Sequence, residues 1–380
     1  MVGIAGGLAL PLAATVPGLL LRFGAWEVPA VAAALGFSGA VVGAAFLLTW
    51  GAELAELDIG EGLALALLAL IAVLPEYAVD VIFAWKAGRD PAQYAPLALA
   101  NMTGANRLLI GAGWSVVALV AIAALRRRHD ARGGASPPPD AVALREVQVV
   151  ELAFLALASA YALTLPLRAT LTLLDGAILF GLFAAYLWRL RAVEARADPA
   201  EMDEAGEASE LFGPATRIAA LAPGWRRAAT AAMLVVAAAV ILAVAEPFAE
   251  SLVATGRQLR VSEFLLVQWV APLASETPEF IAVLLLAWKL QGASALGALI
   301  SSKINQWTLL VGILPVVFAI SVGTPRGLPI DAVQREELLL TAAQSAFAVA
   351  LVVGGRLTRG GAWVLLAPFL AQFLAAWILP

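Results

Sequence analysis

Pro75-Glu76-Tyr77, followed by Ala84-Trp85-Lys86, recurs 203 residues later as Pro278-Glu279-Phe280 followed by Ala287-Trp288-Lys289. Each copy lies deep in a long apolar run. Each is followed by another apolar run with a polar stretch, Ala100-Asn101-Met102-Thr103-Gly104-Ala105-Asn106 in the first half and Gly297-Ala298-Leu299-Ile300-Ser301-Ser302-Lys303 in the second. Trp and Lys near a helix end are ordinary interfacial anchors. Recurrence of both tripeptides at one offset is not explained that way, and the chain reads as an internal duplication.

The surroundings of these motifs are those of a membrane protein. Of 380 residues, 62% are hydrophobic and 14% charged, against roughly 25% charged in ordinary soluble domains. A spanning helix needs about 20 mostly apolar residues. Eleven segments qualify: 1–21, 29–56, 61–88, 94–125, 146–167, 168–190, 226–248, 258–289, 294–321, 335–354 and 361–379. The runs are continuous and rich in Ala and Leu, without the alternation of a lipid-facing barrel, so strands are not expected. The first segment has no charged start or cleavage pattern and reads as a retained helix rather than a signal peptide.

Several function classes drop out on composition. No cysteine is present, which excludes disulfide frameworks, thiolate metal sites and cysteine nucleophiles. The single histidine, His129, lies in a charged loop, and a net charge of −4 offers nucleic acid no basic surface. No dinucleotide, phosphate-loop or haem motif appears, and no cofactor is expected. Ser302 and Lys303 are adjacent, and adjacent helical residues point about 100° apart, so they make no Ser-Lys dyad. The chain does not read as an enzyme.

Five spans from about 37 to 190 match five from 226 to 379. A five-span unit is odd, so the second copy must enter the membrane from the opposite side, the inverted-topology repeat of many secondary transporters. The expected fold is all-α and integral to the membrane, with a ten-helix (5+5) inverted-repeat core and one extra N-terminal helix. The expected organisation is an added helix in 1–28, a first repeat in 29–190, a charged linker in 191–225 and a second repeat in 226–380. The linker carries seven acids, Glu194, Asp198, Glu201, Asp203, Glu204, Glu207 and Glu210. With eleven spans, the basic loop 126–145 and this linker share a face with 14 Lys/Arg, against 8 opposite, with Arg107 and Lys303 inside helices. Positive residues favour the cytoplasm, so both loops are expected there, in a multi-pass protein of the cell's inner (plasma) membrane.

Glu76 and Glu279 fall near mid-membrane, where an acid costs about 2.5–3.5 kcal/mol or more unless it meets water, an ion or a partner. Pro75 and Pro278 lack an N–H, which frees the carbonyls of Ile71 and Ala274 and is expected to kink or break each helix. Carboxylates beside freed carbonyls suit calcium, sodium or protons. In the second half Ser275 lies one turn before Glu279, Thr277 adds an oxygen, and Glu276 is rotated about 100° away. The matching first-half residues Ala72, Val73 and Leu74 offer no side-chain oxygen. Asp80, one turn after Glu76 and matched by Val283, is a candidate relay or entrance group. Asn101 can ligate through its amide oxygen, with Thr103, Asn106, Ser301 and Ser302 as further polar groups. Lys303 either snorkels or pairs with an acid, or places its ammonium among Glu76, Glu276 and Glu279 in lieu of one cation. Glu53, Glu151, Asp175 and Glu246 lack repeat support and read as helix-end or packing groups.

With these residues in place, the chain resembles the calcium/cation antiporter family, whose best-known members are the sodium/calcium exchangers. Leu74-Pro75-Glu76 and Thr277-Pro278-Glu279 match that family's Pro-Glu stretches, and Ala100 to Asn106 resembles its Gly-Asn/Asp-x-x-Gly-Ser-Asn helix. The resemblance implies a secondary cation antiporter whose central metal ligands are Glu76, Glu279 and Asn101, with Ala298 in the fourth place. The family's flanking sodium positions hold Ala72, Val73 and Ala105 in the first half and Ser275, Glu276 and Ser302 in the second. The expected activity is exchange of a cation, calcium or sodium, against sodium or protons by alternating access, and the missing oxygens, with Lys303 where the family has Asn, favour protons as the coupling ion. A membrane binding or sensor protein that keeps the fold without transport is the alternative.

Overall fold

In hydrocarbon, long Ala-, Leu- and Val-rich runs can satisfy their backbone groups internally only as helices. The computed structural model describes residues 2–24, 26–58, 74–133, 137–194 and 211–378. Its helices are α1 (Val2–Phe23), α2 (Ala30–Glu56), α3 (Leu74–Ala87), α4 (Pro91–Leu108), α5 (Ser115–Ala131), α6 (Glu146–Ala162), α7 (Leu173–Glu194), α8 (Ala215–Ala219), α9 (Pro223–Leu259), α10 (Glu263–Trp288), α11 (Gly292–Asn305), α12 (Val311–Val322), α13 (Ala332–Val352) and α14 (Arg359–Ile378). Among the described residues, eight continuous helical stretches are long and apolar enough to cross a membrane. The first half of the expected span 61–88, with Ile71, Ala72 and Val73, lies outside the described residues, as do the acids of the linker between Asp198 and Glu210.

Two compact units make up the chain, and they do not follow its two halves. One comprises residues 1–101 and 209–279, the other 102–208 and 280–380. In the first unit α2 packs along α9, with α1 lying on α2. Small residues allow that approach: a Cβ on Gly43 would strike the carbonyl oxygen of Pro11, and one on Gly18 would strike Ala40. Polar ties close the ends. Arg226 grips Asp58 with two nitrogens at 2.7 and 2.8 Å, and Arg227 adds a third contact at 3.0 Å. Lys86 bridges Glu246, at 3.3 Å, and Glu250. Arg22 donates to the carbonyl of Ala243 at 3.1 Å.

The second unit is built by exchange between the halves. α5 packs on α14, α7 on α12, and α6 on α13. The strands expected to be absent occur as two short ribbons in the loops: β1 (Ala141–Ala143) pairs with β4 (Arg356–Thr358), and β2 (Thr170–Leu171) with β3 (Leu328–Pro329), both antiparallel. They are only two or three residues long, too short to leave a periodic signal. The expected break between 167 and 168 widens for the same reason. α6 ends at Ala162, a 3₁₀ turn covers Leu165–Leu167, and α7 begins only at Leu173. There Thr172 and Asp175 exchange hydrogen bonds as a helix cap, which bears out Asp175 as a helix-end group.

Two helices run further than their composition predicts. The expected span 226–248 is part of a 37-residue helix that runs through Pro247 to Leu259. α10 also runs unbroken through Pro272 and Pro278, so Pro278 does not break its helix.

Repeated local features were hidden in the sequence. α4 passes into α5, and α11 into α12, through π-helical turns at Leu109–Trp114 and Gln306–Leu310. These turns begin 197 residues apart (306 − 109), the same offset as Asn106 and Lys303. At the start of α6, Gln148 Oε1 accepts the Arg145 N–H at 2.8 Å. At the start of α13, Gln334 Oε1 accepts the Asp331 N–H at 3.1 Å. These glutamines lie 186 residues apart (334 − 148), and so do Glu151 and Glu337 one turn further on.

Candidate cation site

The two Pro-Glu motifs fall in the first unit. Glu76 and Asp80 lie one turn apart on α3, on one face of the helix. Glu76 is 5% exposed and Asp80 wholly buried. α4 brings Asn101 to them: its Nδ2 donates to Asp80 Oδ1 at 2.7 Å. α10 carries Ser275, Glu276 and, at the edge of the same unit, Glu279. Glu279 is half-buried, whereas Glu276, expected to turn away, is the more deeply buried of the two. Ser275 donates to the carbonyls of Ala271 and Pro272 at 3.2 and 3.3 Å, and Thr277 to that of Leu273, so both hydroxyls are held by their own helix.

The other polar residues belong to the second unit. Lys303 does not snorkel; it is wholly buried. Its Nζ donates to the Asn106 carbonyl at 2.7 Å and to Asn106 Oδ1, and lies 5.3 Å from the centre of the Trp307 ring. Asn106 and Lys303 hold equivalent places in the two halves, so the duplication meets itself at this bond. Thr103 is buried beside them in sequence, and Ser302 is half-buried.

Ser301 belongs to a different cluster. Its hydroxyl donates to Glu151, which also accepts the Tyr186 hydroxyl at 2.9 Å. Glu151 is therefore no helix-end group but the centre of a buried hydroxyl pair. Its counterpart Glu337 receives the Arg107 guanidinium at 2.6 Å, and Arg107 also donates to Thr341 Oγ1 at 2.9 Å. The equivalence of Glu151 and Glu337 was available at the 186-residue offset. It departs from the 203-residue offset of the Pro-Glu motifs because loop lengths differ between the halves. Among the described residues, no group of three or more His, Cys, Asp and Glu is arranged as a metal cluster.

The chain and its helical fold have relatives. The family model for the sodium/calcium exchanger protein matches residues 28–191 and 229–378. The chain belongs to the sodium/calcium exchanger family. α1 lies outside the matched residues. A crystal structure of the H+/Ca2+ exchanger CAX is 40% identical over 98% of this chain and 88% of its own, with a TM-score of 0.86. Native YfkE, at 14% identity over 98% and 99%, superposes with a TM-score of 0.65. The sodium-calcium exchanger NCX_Mj soaked with 100 mM Na+ and 10 mM Sr2+ gives 13%, 98%, 99% and 0.53. These last two likenesses are of fold. No curated protein matches the sequence. The exchanger-family chain is thus a nearly all-helical membrane protein with the exchanger fold, and its family is one of cation transporters.

Proposed function

We propose that this exchanger-family protein is a secondary active antiporter that carries calcium against protons by alternating access. Identity of 40% along nearly the whole chain with a structure titled an H+/Ca2+ exchanger carries the reading. Glu76, Glu279 and Asn101 are the proposed cation ligands, and the burial of Glu76 and Asn101 together in the first unit supports them. Glu276 adds a buried carboxylate, while Ser275, whose hydroxyl serves its own helix, contributes little. The absence of side-chain oxygens at Ala72, Val73 and Ala105 favours protons over several sodium ions as the coupling species.

The proposed topology has eleven spans, the repeat boundaries given above, and loops 126–145 and 191–225 in the cytoplasm. Its support is that each tie joins segments on one face under that count. Asp58–Arg226 and β1–β4 join cytoplasmic segments. Lys86–Glu246/Glu250, Arg22–Ala243 and β2–β3 join external ones.

Calcium uptake into proteoliposomes tests the function, comparing a sodium gradient with a pH gradient at matched membrane potential. Proton-driven uptake that Glu76→Gln and Glu279→Gln each abolish is the expected result. Uptake driven only by sodium overturns the coupling, and wild-type transport by Glu279→Gln overturns the site.

A further inference from the structure

We propose that Asp80 is itself a cation ligand, and that Asp80 and Asn101 together form a two-oxygen subsite for a calcium-sized hard cation. The inference rests on the exchanger reading above. Only half of this pair is satisfied. Asp80 Oδ1 accepts from Asn101 Nδ2 at 2.7 Å. The remaining oxygens, Asp80 Oδ2 and Asn101 Oδ1, are buried and have no hydrogen-bond partner among the described residues. No basic side chain among those residues forms a salt bridge with Asp80.

The chemistry of the two leftover atoms is restrictive. A carboxylate oxygen and an amide carbonyl are both acceptors, so neither can satisfy the other. Rotating the amide does not help, because it would turn the Asn101 oxygen toward Asp80 Oδ1. A buried carboxylate without a counter-charge is strongly unfavourable, and inside a membrane protein such a group marks an ion or proton position. One cation held between the two oxygens satisfies both at once. Carboxylate and carbonyl oxygens are the hard donors that suit calcium. Glu76, one turn back on the same face of α3, puts a second carboxylate beside the subsite. Val283 occupies the equivalent place in the second half, so the subsite exists once per chain.

Calcium binding to the purified full chain, measured by calorimetry, tests the subsite. Asp80→Asn keeps an oxygen to accept the Asn101 bond, removes the charge and turns the free acceptor into an amide donor that cannot ligate a cation. It is expected to weaken binding at least tenfold without lowering the melting temperature. The exchanged double variant Asp80→Asn/Asn101→Asp restores one carboxylate and one amide with the bond reversed, and is expected to recover most of the affinity. Wild-type affinity in Asp80→Asn overturns the proposal, as does an exchanged variant that folds but binds no better than Asp80→Asn.

A second measurement needs no variant. With 13C-labelled aspartate, calcium at concentrations filling only the tight site is expected to shift an aspartate carboxylate band in the infrared difference spectrum. The other proposed ligands are Glu and Asn, so an unshifted aspartate spectrum also overturns the proposal. Loss of transport in Glu279→Gln alongside normal binding in Asp80→Asn removes the subsite alone. A wild-type chain that neither binds nor carries calcium removes the functional reading with it.

Discussion

Replacing Arg107 by glutamine removes a guanidinium that ties α4 to α13 within the second unit. Its Nε donates to Thr341, and one terminal nitrogen reaches both the Glu337 carbonyl, at 3.0 Å, and its carboxylate, at 2.6 Å. Arg107 is 3% exposed and the Glu337 side chain 19%. Removing one partner of a buried ion pair costs about 3–5 kcal/mol. The partial exposure of Glu337 places this pair at the lower end, about 3 kcal/mol. An unfolding entropy of about 2.1 cal/mol/K per residue converts that into a loss of about 4 °C if all 380 residues unfold together. The loss becomes about 7 °C if the 208 residues of the second unit unfold alone. The assay is a fluorescence melt in detergent, for which the chain's 11 tryptophans suffice. The double variant Arg107→Leu/Glu337→Leu, which removes both charges, should regain most of the loss. If Arg107→Gln melts within a degree of wild type, or the double variant melts no higher than the single, the ion-pair account of this contact is wrong.

Other perturbations probe other joints. Asp58 lies beyond the end of α2, where hydrogen bonds from Arg226 and Arg227 hold its carboxyl well below the usual carboxylate range. A depressed folded-state value gives stability that is full above about pH 4 and drains as pH falls further, so Asp58→Asn should flatten the acid limb of a stability-versus-pH curve. An unchanged limb would mean that the pair adds nothing. Val142 and Leu357 are register partners in the β1–β4 ribbon; because the chain has no cysteine, Val142→Cys/Leu357→Cys should form a single, cleanly assignable disulfide on oxidation, and its absence in folded protein would refute the pairing. Gly43→Leu puts a side chain into Pro11's carbonyl and should loosen α1, seen as faster proteolysis or hydrogen exchange of residues 2–23, while Gly181→Leu, where no atom lies within 4 Å of an added Cβ, should not. Lys86→Met breaks partly exposed pairs with Glu246 and Glu250 and should cost no more than about 1 kcal/mol, diminishing in high salt; a larger, salt-insensitive loss would show that the tie is more than a surface pair.

Much of the fold was legible because the membrane leaves few choices. Apolar runs of about 20 residues have only one way to satisfy their backbone there, so the helices around 30–56, 146–162 and 263–288 could be read directly. Pro75-Glu76 and Pro278-Glu279 were equally plain, since two rare acids at one offset stand out in a chain with 14% charged residues. Helix continuations were less so. Nothing in the composition of Ala249 to Leu259 says that α9 continues through Pro247, and no periodicity betrays a two-residue strand.

Read from the chain alone, composition and spacing disclose the membrane class, the duplication and the side chains available to the proposed cation site, Glu76, Glu279 and Asn101; that sodium-site oxygens are missing is what the family resemblance implies. Composition and spacing are properties of the chain whatever its neighbours. Which polar groups meet is set by packing. It joined Asp80 to Asn101, Lys303 to Asn106, Ser301 to Glu151 and Arg107 to Glu337. It also buried Glu276 more deeply than Glu279. The physical reason is that a hydrogen bond or ion pair depends on a few tenths of an ångström between side chains on different helices, and helix spacing and rotation are set by packing far along the chain.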